Sequence, residues 1–242
     1  MEAINARDLG IRFNVSKRRL ISARSLVASG FKRTRDESED FWALRHVNFT
    51  INRGDTVGII GRNGSGKSTL LRVIGRIYPP DEGEVMVRGS VSTQFSLGAG
   101  FQAELSGVDN IYLNGILMGL SKKEIDGLLD DIIEFAGIGE FINMPVKTYS
   151  TGMHSRLGFA IAINVHRDIV LIDEILGVGD AEFYKRCEKR LEQLMGERTI
   201  LLVSHNMDSI RKFANRIIWI DRGHLVAQGD PDDVIEQYLG SQ

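Results

Sequence analysis

Residues 61–69 read GRNGSGKST, and this segment constrains the fold more than any other part of the chain. It fits the pattern GxxxxGK followed by Ser or Thr, in which a glycine-rich turn and the N-terminus of the next helix surround a phosphate group. The apolar run 57–60 precedes the segment, and an apolar-periodic segment begins at Leu70. A loop between a strand and a helix is the context that this pattern requires, so the sequence predicts a site for a nucleoside triphosphate.

The residues of this loop have different predicted roles. The glycines are expected to turn the backbone tightly and bring its N–H groups close to an anion. Lys67 is expected to reach the β- and γ-phosphates, and Ser68 to offer its hydroxyl to Mg²⁺. The predicted nucleotide-binding residues of the loop are Gly61, Arg62, Asn63, Gly64, Ser65, Gly66, Lys67, Ser68 and Thr69.

Two further apolar runs end in residues that a triphosphatase needs. The run 169–172 is followed by Asp173 and Glu174. Since neighbouring side chains on a strand point in opposite directions, Asp173 is expected to hold Mg²⁺ while Glu174 orients or deprotonates the attacking water. His205 follows Ser204 at the end of the run 199–203. In that position His205 is expected to donate a hydrogen bond to the γ-phosphate.

Residues 149–153, YSTGM, open a predicted helix over 153–165. Ser150 and the backbone N–H groups near Gly152 form either a second anion site or a plain helix N-cap. One chain has no room for a second triphosphate. The anion that an additional site would meet is therefore left open by the local pattern.

Strands and helices alternate along most of the chain. This alternation predicts an α/β fold with a mostly parallel sheet and helices on both faces. Helical periodicity from about residue 106 to residue 136 predicts an inserted helical subdomain over 97–165. The sheet-forming core is then expected in two parts, 1–96 and 166–242, with a basic insertion at 14–40.

Composition excludes several classes of protein. The chain has 242 residues with 43% apolar residues and a formal net charge of −2, so no global field favours nucleic acid. A single cysteine, Cys187, excludes an internal disulfide. The N-terminus lacks the pattern of a signal peptide, and no segment approaches the roughly 20 apolar residues that cross a bilayer. Work at a membrane would therefore require another chain.

The segment 17–35 has an unusual charge pattern. It contains seven basic residues and no acidic one, interleaved with apolar residues. Such a segment either lies against anionic headgroups or a lipid carrier's pyrophosphate, or forms a solvated surface.

The order of these elements resembles the ATP-binding subunit of ABC transporters. GRNGSGKST looks like the Walker A motif, DIVLIDE like Walker B, YSTGM like the signature motif, ILGVGD like the D-loop ending at Asp180, and SH like the switch histidine. The resemblance implies a P-loop NTPase fold and a head-to-tail dimer. In that dimer, ATP on one Walker A motif is capped by Ser150, Thr151 and Gly152 of the other copy. Thr151 and Met153 replace a glycine and a glutamine that are common in this motif.

Within that family, the chain looks like exporters of bacterial cell-surface polysaccharides, through the segments GFQAELSGVDNIYLNGILMGL, MPVKTYSTGMHSRLGFAIA and DEILGVGDAEFYKRC. This implies ATP hydrolysis coupled to export of lipid-linked O-antigen, capsule, teichoic acid or galactan. It also implies separate membrane-spanning subunits and a peripheral location on the cytoplasmic face. Because the chain ends at Gln242, no C-terminal carbohydrate-binding domain is expected.

Two other classes of protein are weighed against this interpretation. A soluble ABC-type ATPase acting on nucleic acid or the ribosome is disfavoured by the absence of a long heptad insertion and of a second cassette. A P-loop kinase or GTPase would lack the signature residues and His205.

By the resemblance, the adenine-stacking residue aligns with Phe13, with Phe41 and Trp42 as alternatives. The glutamine near Mg²⁺ is Gln94, Gln102 or neither.

Overall fold

The computed structural model describes residues 1–16, 38–92, 100–173, 180–204 and 206–241. Several features singled out in the sequence lie outside these ranges, namely the basic segment 17–35, Gln94, Glu174, residues 175–179 of the segment ILGVGD, and His205.

Strands and helices alternate as the sequence predicts. The strands are β1 (Glu2–Ser16), β2 (Ser38–Asn52), β3 (Thr56–Ile60), β4 (Glu82–Val87), β5 (Val91–Ser92), β6 (Ile169–Asp173), β7 (Thr199–Val203), β8 (Arg216–Asp221) and β9 (His224–Gly229). The helices are α1 (Lys67–Ile74), α2 (Gly107–Leu117), α3 (Lys122–Ala136), α4 (Thr151–Asn164), α5 (Ala181–Leu194), α6 (Met207–Phe213) and α7 (Pro231–Gly240). Short 3-10 helices cover Gly139–Asn143 and Val146–Thr148.

The central sheet has the order β5-β6-β7-β3-β8-β9 among the described strands. Its neighbouring strands are parallel except for the antiparallel pair β8 and β9. Every residue of β3 and of β7 is buried, which explains their continuous apolar sequences. In the register, Val203 lies beside both Ile59 and Asp173. The carboxyl ends of β3, β7 and β6 therefore meet at one edge of the sheet, where open α/β sheets bind ligands.

A second sheet, which the sequence did not predict, accompanies the predicted and mostly parallel central sheet. β1, β2 and β4 form an antiparallel sheet in the order β2-β1-β4. β1 and β2 each extend over 15 residues, with register shifts near Asp8 and His46, which have positive φ angles of 48° and 52°. The pattern of apolar residues within one strand does not specify its partner.

Helices α2, α3 and α4 share their own apolar cluster and are called here the helical block. Ser121 and Glu124 form a capping box at the start of α3. The apolar face of α3 packs into this cluster, with Ile125 and Ile132 buried. Helix α4 begins at Thr151, two residues before its predicted start, because Ser150 is its N-cap. The subdomain boundaries at 97 and 165 stay a prediction.

Across the described parts of the chain, none of the helices combines the length and the apolar character that crossing a bilayer requires.

Candidate nucleotide-binding site

The phosphate loop connects the end of β3 to the start of α1 through backbone conformations that favour glycine. Gly66, the N-cap of α1, has φ 112°, and a Cβ there would lie 2.5 Å from the carbonyl oxygen of Ala43. Gly61 has φ 144°, and its Cβ would lie 2.0 Å from the carbonyl oxygen of Ile220. Any larger residue would push the loop away from β2 or β8.

The loop is also tied to both sheets by backbone hydrogen bonds. The N–H of Gly223, in the turn between β8 and β9, donates to the carbonyl of Ser65 over 2.8 Å. The carbonyl of Gly223 accepts from the N–H of Arg45 on β2 over 2.9 Å. This relay holds the middle of the loop in a fixed position before any ligand binds.

Lys67 is nearly buried at the first turn of α1. Its Nζ donates to the carbonyl oxygens of Gly61 over 2.7 Å and Arg62 over 2.9 Å. Gly61 and Arg62 therefore contact the lysine through their backbone, and neither lines the adjoining cavity. These two hydrogen bonds orient the ammonium group within the loop.

A cavity of about 340 Å³ lies against the loop. It is lined by Asn63, Gly64, Ser65, Gly66, Lys67, Ser68 and Thr69, by Phe13, Phe41 and Ala43 from β1 and β2, and by Asp173 and Val203 from the ends of β6 and β7. The cavity thus combines an ammonium group, backbone N–H groups at a helix N-terminus, hydroxyls and a carboxylate. These are the groups that bind a polyphosphate and its counter-cation.

The donor set of this cavity fits Mg²⁺. Ser68 and Asp173, whose side chains carry a hydroxyl and a carboxylate, line the same space, and Mg²⁺ prefers oxygen ligands. Proteins usually hold this ion with one or two such side chains while substrate phosphates and water complete its coordination.

Two aromatic residues form the outer wall of the cavity. Phe13 on β1 and Phe41 on β2 are directly paired in the ladder, so their side chains lie on the same face. The Phe13 ring makes an edge contact with Tyr78 at 5.6 Å between centroids. Trp42 does not line the cavity. Its ring instead lies beside the guanidinium groups of Arg12 and Arg45, at 5.7 and 4.8 Å.

Ser150 is the N-cap of α4, and its hydroxyl accepts a hydrogen bond from the Met153 N–H over 3.2 Å. Thr151 and Gly152 form the first turn of that helix. None of the residues 150–152 lines the cavity of its own chain. The N-cap alternative is therefore present in the structure, and the contact with an anion stays a prediction.

Asp180 is the N-cap of α5, and its carboxylate accepts from the Phe183 N–H over 2.9 Å. Arg156 on α4 donates to the same carboxylate over 2.5 Å. The Phe183 N–H foremost, with Arg156 adding to it, holds the pKa of Asp180 below its ordinary value. The contact of Arg156 with Asp180 was not anticipated, because nothing in the sequence distinguishes Arg156 from a surface arginine.

Gln102 lies in the loop before α2. Its backbone N–H donates to the Asn110 side chain over 2.7 Å, and its carbonyl accepts from that side chain over 3.1 Å. Gln102 does not line the cavity, whereas Gln94 lies outside the described residues. The choice between Gln94, Gln102 and neither remains open. The catalytic roles predicted for Glu174 and His205 also stay predictions.

The α/β sheet and the phosphate loop define a P-loop NTPase fold, and comparison with solved structures agrees with this fold. A dimeric ATP-binding cassette, MJ0796, in a post-hydrolysis state bound to ADP and Pi, superposes with a TM-score of 0.75 at 22% identity. The match covers 94% of this chain and 98% of that one. At this identity the likeness establishes the fold alone.

The family model described as ABC transporter matches residues 44–177, and the chain belongs to this family. It is 42% identical to the teichoic acids export ATP-binding protein TagH of Shouchella clausii, over 88% of this chain and 59% of that protein. It is 45% identical to the O-antigen export system ATP-binding protein RfbB of Myxococcus xanthus, over 86% of this chain and 48% of that protein. The chain thus spans about half the length of the curated relatives it matches.

Proposed function

We propose that the chain is the ATP-hydrolysing subunit of an ABC exporter that moves a lipid-linked polysaccharide across the cytoplasmic membrane. The observation that carries the ATPase part is the single cavity lined by the phosphate loop, Lys67, Ser68 and Asp173. The export part rests on relatives that are named for teichoic acid and O-antigen export.

The polar residues of the cavity and Phe13 have distinct roles in this proposal. The loop N–H groups and Lys67 bind the phosphates of ATP, while Phe13 stacks on the adenine. Ser68 and Asp173 hold Mg²⁺, which when bound neutralises charge on the phosphate oxygens. Beyond the described residues, Glu174 orients or deprotonates the attacking water and His205 donates a hydrogen bond to the γ-phosphate.

The proposed working unit is a head-to-tail dimer. Residues 150–152 cap a helix but do not line their own chain's cavity, so their N–H groups are available to the γ-phosphate of a second copy. ATP closes the dimer and hydrolysis reopens it. Separate membrane-spanning subunits convert this motion into transport, and the chain binds them peripherally at the cytoplasmic face.

The alternative is an ABC-type ATPase acting on nucleic acid or the ribosome. The formal net charge of −2 gives no support to it, because nucleic-acid binding relies on clustered positive charge. We therefore include no nucleic acid among the partners.

The ATPase proposal is tested with Glu174→Gln. The variant is expected to keep its ATP affinity and to lose turnover by at least about a hundredfold, since a general base contributes that much or more. It should also accumulate as an ATP-bound dimer in analytical ultracentrifugation. Lys67→Ala is the contrasting variant, whose ATP affinity itself should fall by at least about tenfold. Hydrolysis at the normal rate by Glu174→Gln would refute the role of Glu174.

The export proposal requires an experiment in the cell. Deleting the gene should cause a lipid-linked glycan to accumulate on the cytoplasmic side of the membrane, and restoring the chain should reverse this. Restoration by Glu174→Gln should fail. A deletion that leaves every surface glycan unchanged would contradict export while leaving the ATPase proposal intact.

A further inference from the structure

At the C-terminal ends of all three helices of the helical block, backbone carbonyls accept hydrogen bonds from arginines outside the block. Arg167, just before β6, donates to the carbonyl of Met118, the C-cap of α2. Arg186 on α5 donates to the Phe135 carbonyl in the last turn of α3 over 3.2 Å, and Arg198, just before β7, donates to the carbonyl of Val165, the C-cap of α4, over 3.2 Å. We call Arg167, Arg186 and Arg198 the arginine clamp.

These contacts occur where helices need partners. The last carbonyls of a helix have no intrahelical donor and carry partial negative charge. α2, α3 and α4 have no basic residue in their own last turns. The clamp therefore supplies, from outside the block, the cations that these helices lack, and a guanidinium donates in a rigid, fixed geometry.

The end of α3 accommodates Arg186 closely. α3 stops at Gly137, which adopts the left-handed conformation with φ 59°. A Cβ at Gly137 would lie 2.7 Å from Nη1 of Arg186, so the absence of a side chain makes room for the guanidinium. The positive φ would strain any other residue there as well.

An aromatic contact reinforces the same junction. The guanidinium of Arg186 lies 5.4 Å from the ring centroid of Phe183, one turn earlier on α5. Phe183 is buried, and its ring meets Phe135 of α3 at 5.7 Å and Phe159 of α4 at 6.1 Å. The first turns of α5 thus contact α3 through both the Phe183 ring and the Arg186 guanidinium. They contact α4 through the Phe183 ring.

From this arrangement we propose that the clamp fixes the orientation of the helical block relative to the central sheet, and thereby positions Ser150 for a second copy's ATP. Ser150 caps the N-terminus of α4, and Arg198 holds the opposite end of the same helix. The three arginines are positioning residues, because none lines the cavity. The consequence for ATP rests on the dimer proposed above.

The first test compares nucleotide binding with dimerisation, in chains that carry Glu174→Gln to prevent turnover. Arg186→Gln should leave the ATP affinity of the monomer within about twofold, because the phosphate loop lies outside the block, and weaken ATP-induced dimerisation by roughly tenfold. Arg186→Lys should recover part of the loss by keeping the charge. The matched control is Arg211→Gln, which breaks the exposed 2.7 Å ion pair between α6 and Asp232 and should change neither quantity.

The second test measures the block directly in the nucleotide-free monomer. Spin labels are placed on cysteines introduced at Lys123 of α3 and Arg53 in the turn between β2 and β3, both exposed. The native Cys187 should not compete, because burial raises its pKa to about 12. Arg186→Gln, and independently Arg167→Gln, should broaden the label-to-label distance distribution, while Arg211→Gln should not.

The two tests separate this inference from the proposed function. If the parent chain stays monomeric with ATP while the clamp variants broaden the distance distributions, the proposal of a dimer is refuted. The proposal that the clamp orients the helical block is then kept. Unchanged distance distributions in both folded clamp variants would overturn the clamp. Should Arg186→Gln fail to fold, Arg167→Gln carries the test, because it loosens a different helix.

Discussion

Gly66 has a backbone conformation that ordinary residues rarely adopt, with φ 112°. A Cβ at this position would also lie 2.5 Å from the Ala43 carbonyl oxygen. Gly66→Ala should therefore lower the free energy of unfolding by about 1–3 kcal/mol and weaken ATP binding, because the loop must shift from β2. Thermal unfolding and calorimetric titration with ATP measure the two effects.

Gly64→Ala is the control for this substitution. Gly64 also has a positive φ, 76°, but nothing lies within 4 Å of its Cβ position. Its strain is conformational only, so the loss should be smaller than for Gly66→Ala. Equal losses would mean that close approach to β2 is unimportant.

Two aromatic residues in the cavity wall, Phe13 and Phe41, are candidates for stacking on the adenine of ATP. Phe13 is 37% exposed and supported by Tyr78, whereas Phe41 is 54% exposed. We expect Phe13→Ala to raise the dissociation constant for ATP by roughly tenfold, as loss of an aromatic stacking platform does. Phe41→Ala should have a smaller effect. Titration with a fluorescent ATP analogue compares the variants.

Trp42→Ala serves as the control at this position, because the Trp42 ring contacts arginines rather than the cavity. Its affinity for ATP should stay near that of the unchanged chain. A loss as large as that of Phe13→Ala would contradict the assignment of Phe13. The sequence could align an aromatic with this role, but excluding Trp42 required the strand register, because three aromatic residues flank the insertion.

Among the structural elements, α2 depends on one buried amide that joins it to the preceding loop. Asn110 is fully buried, accepts from the Gln102 N–H and donates to the carbonyls of Gln102, Leu105 and Ser106. Asn110→Ala leaves these backbone groups without their partner. We expect a loss of about 2–3 kcal/mol in the free energy of unfolding, measured by urea denaturation.

The exposed Asn143 provides the control, and Asn143→Ala should change stability by less than about 0.5 kcal/mol. ATP affinity should stay the same in both variants, since neither residue lines the cavity. A stable Asn110→Ala variant would mean that the loop before α2 is held by other contacts.

Secondary structure was predicted well where a single pattern decides it. The apolar runs 57–60 and 199–203 form the strands β3 and β7, because clear turn residues or motif residues bound each run. The antiparallel sheet of β1, β2 and β4 was not predicted. Its pairings join residues far apart in the chain, such as Phe13 with Phe41, and no local pattern encodes them.

For the molecule as a whole, side-chain chemistry was easier to predict than backbone contacts. Lys67, Ser68 and Asp173 follow motifs, and the structure brings them to one cavity. The arginine clamp escaped prediction because its acceptors are backbone carbonyls, which every residue type carries. The sequence therefore indicates which groups meet the nucleotide, but not what holds the helical block against the sheet.

Cys187 offers a test of how far ATP stabilises the whole chain. It lies on α5 in the apolar cluster between α5 and the central sheet, and burial raises its pKa to about 12. A thiol reagent at pH 8 should therefore label Cys187 only when the chain opens. In Glu174→Gln, ATP at about 100 times its dissociation constant should slow this labelling by roughly a hundredfold, because ATP binds the folded state alone. Adding Lys67→Ala should abolish most of the protection. If ATP leaves the rate of Cys187 labelling in Glu174→Gln unchanged, the reagent reaches Cys187 by local opening of α5, without unfolding of the nucleotide site.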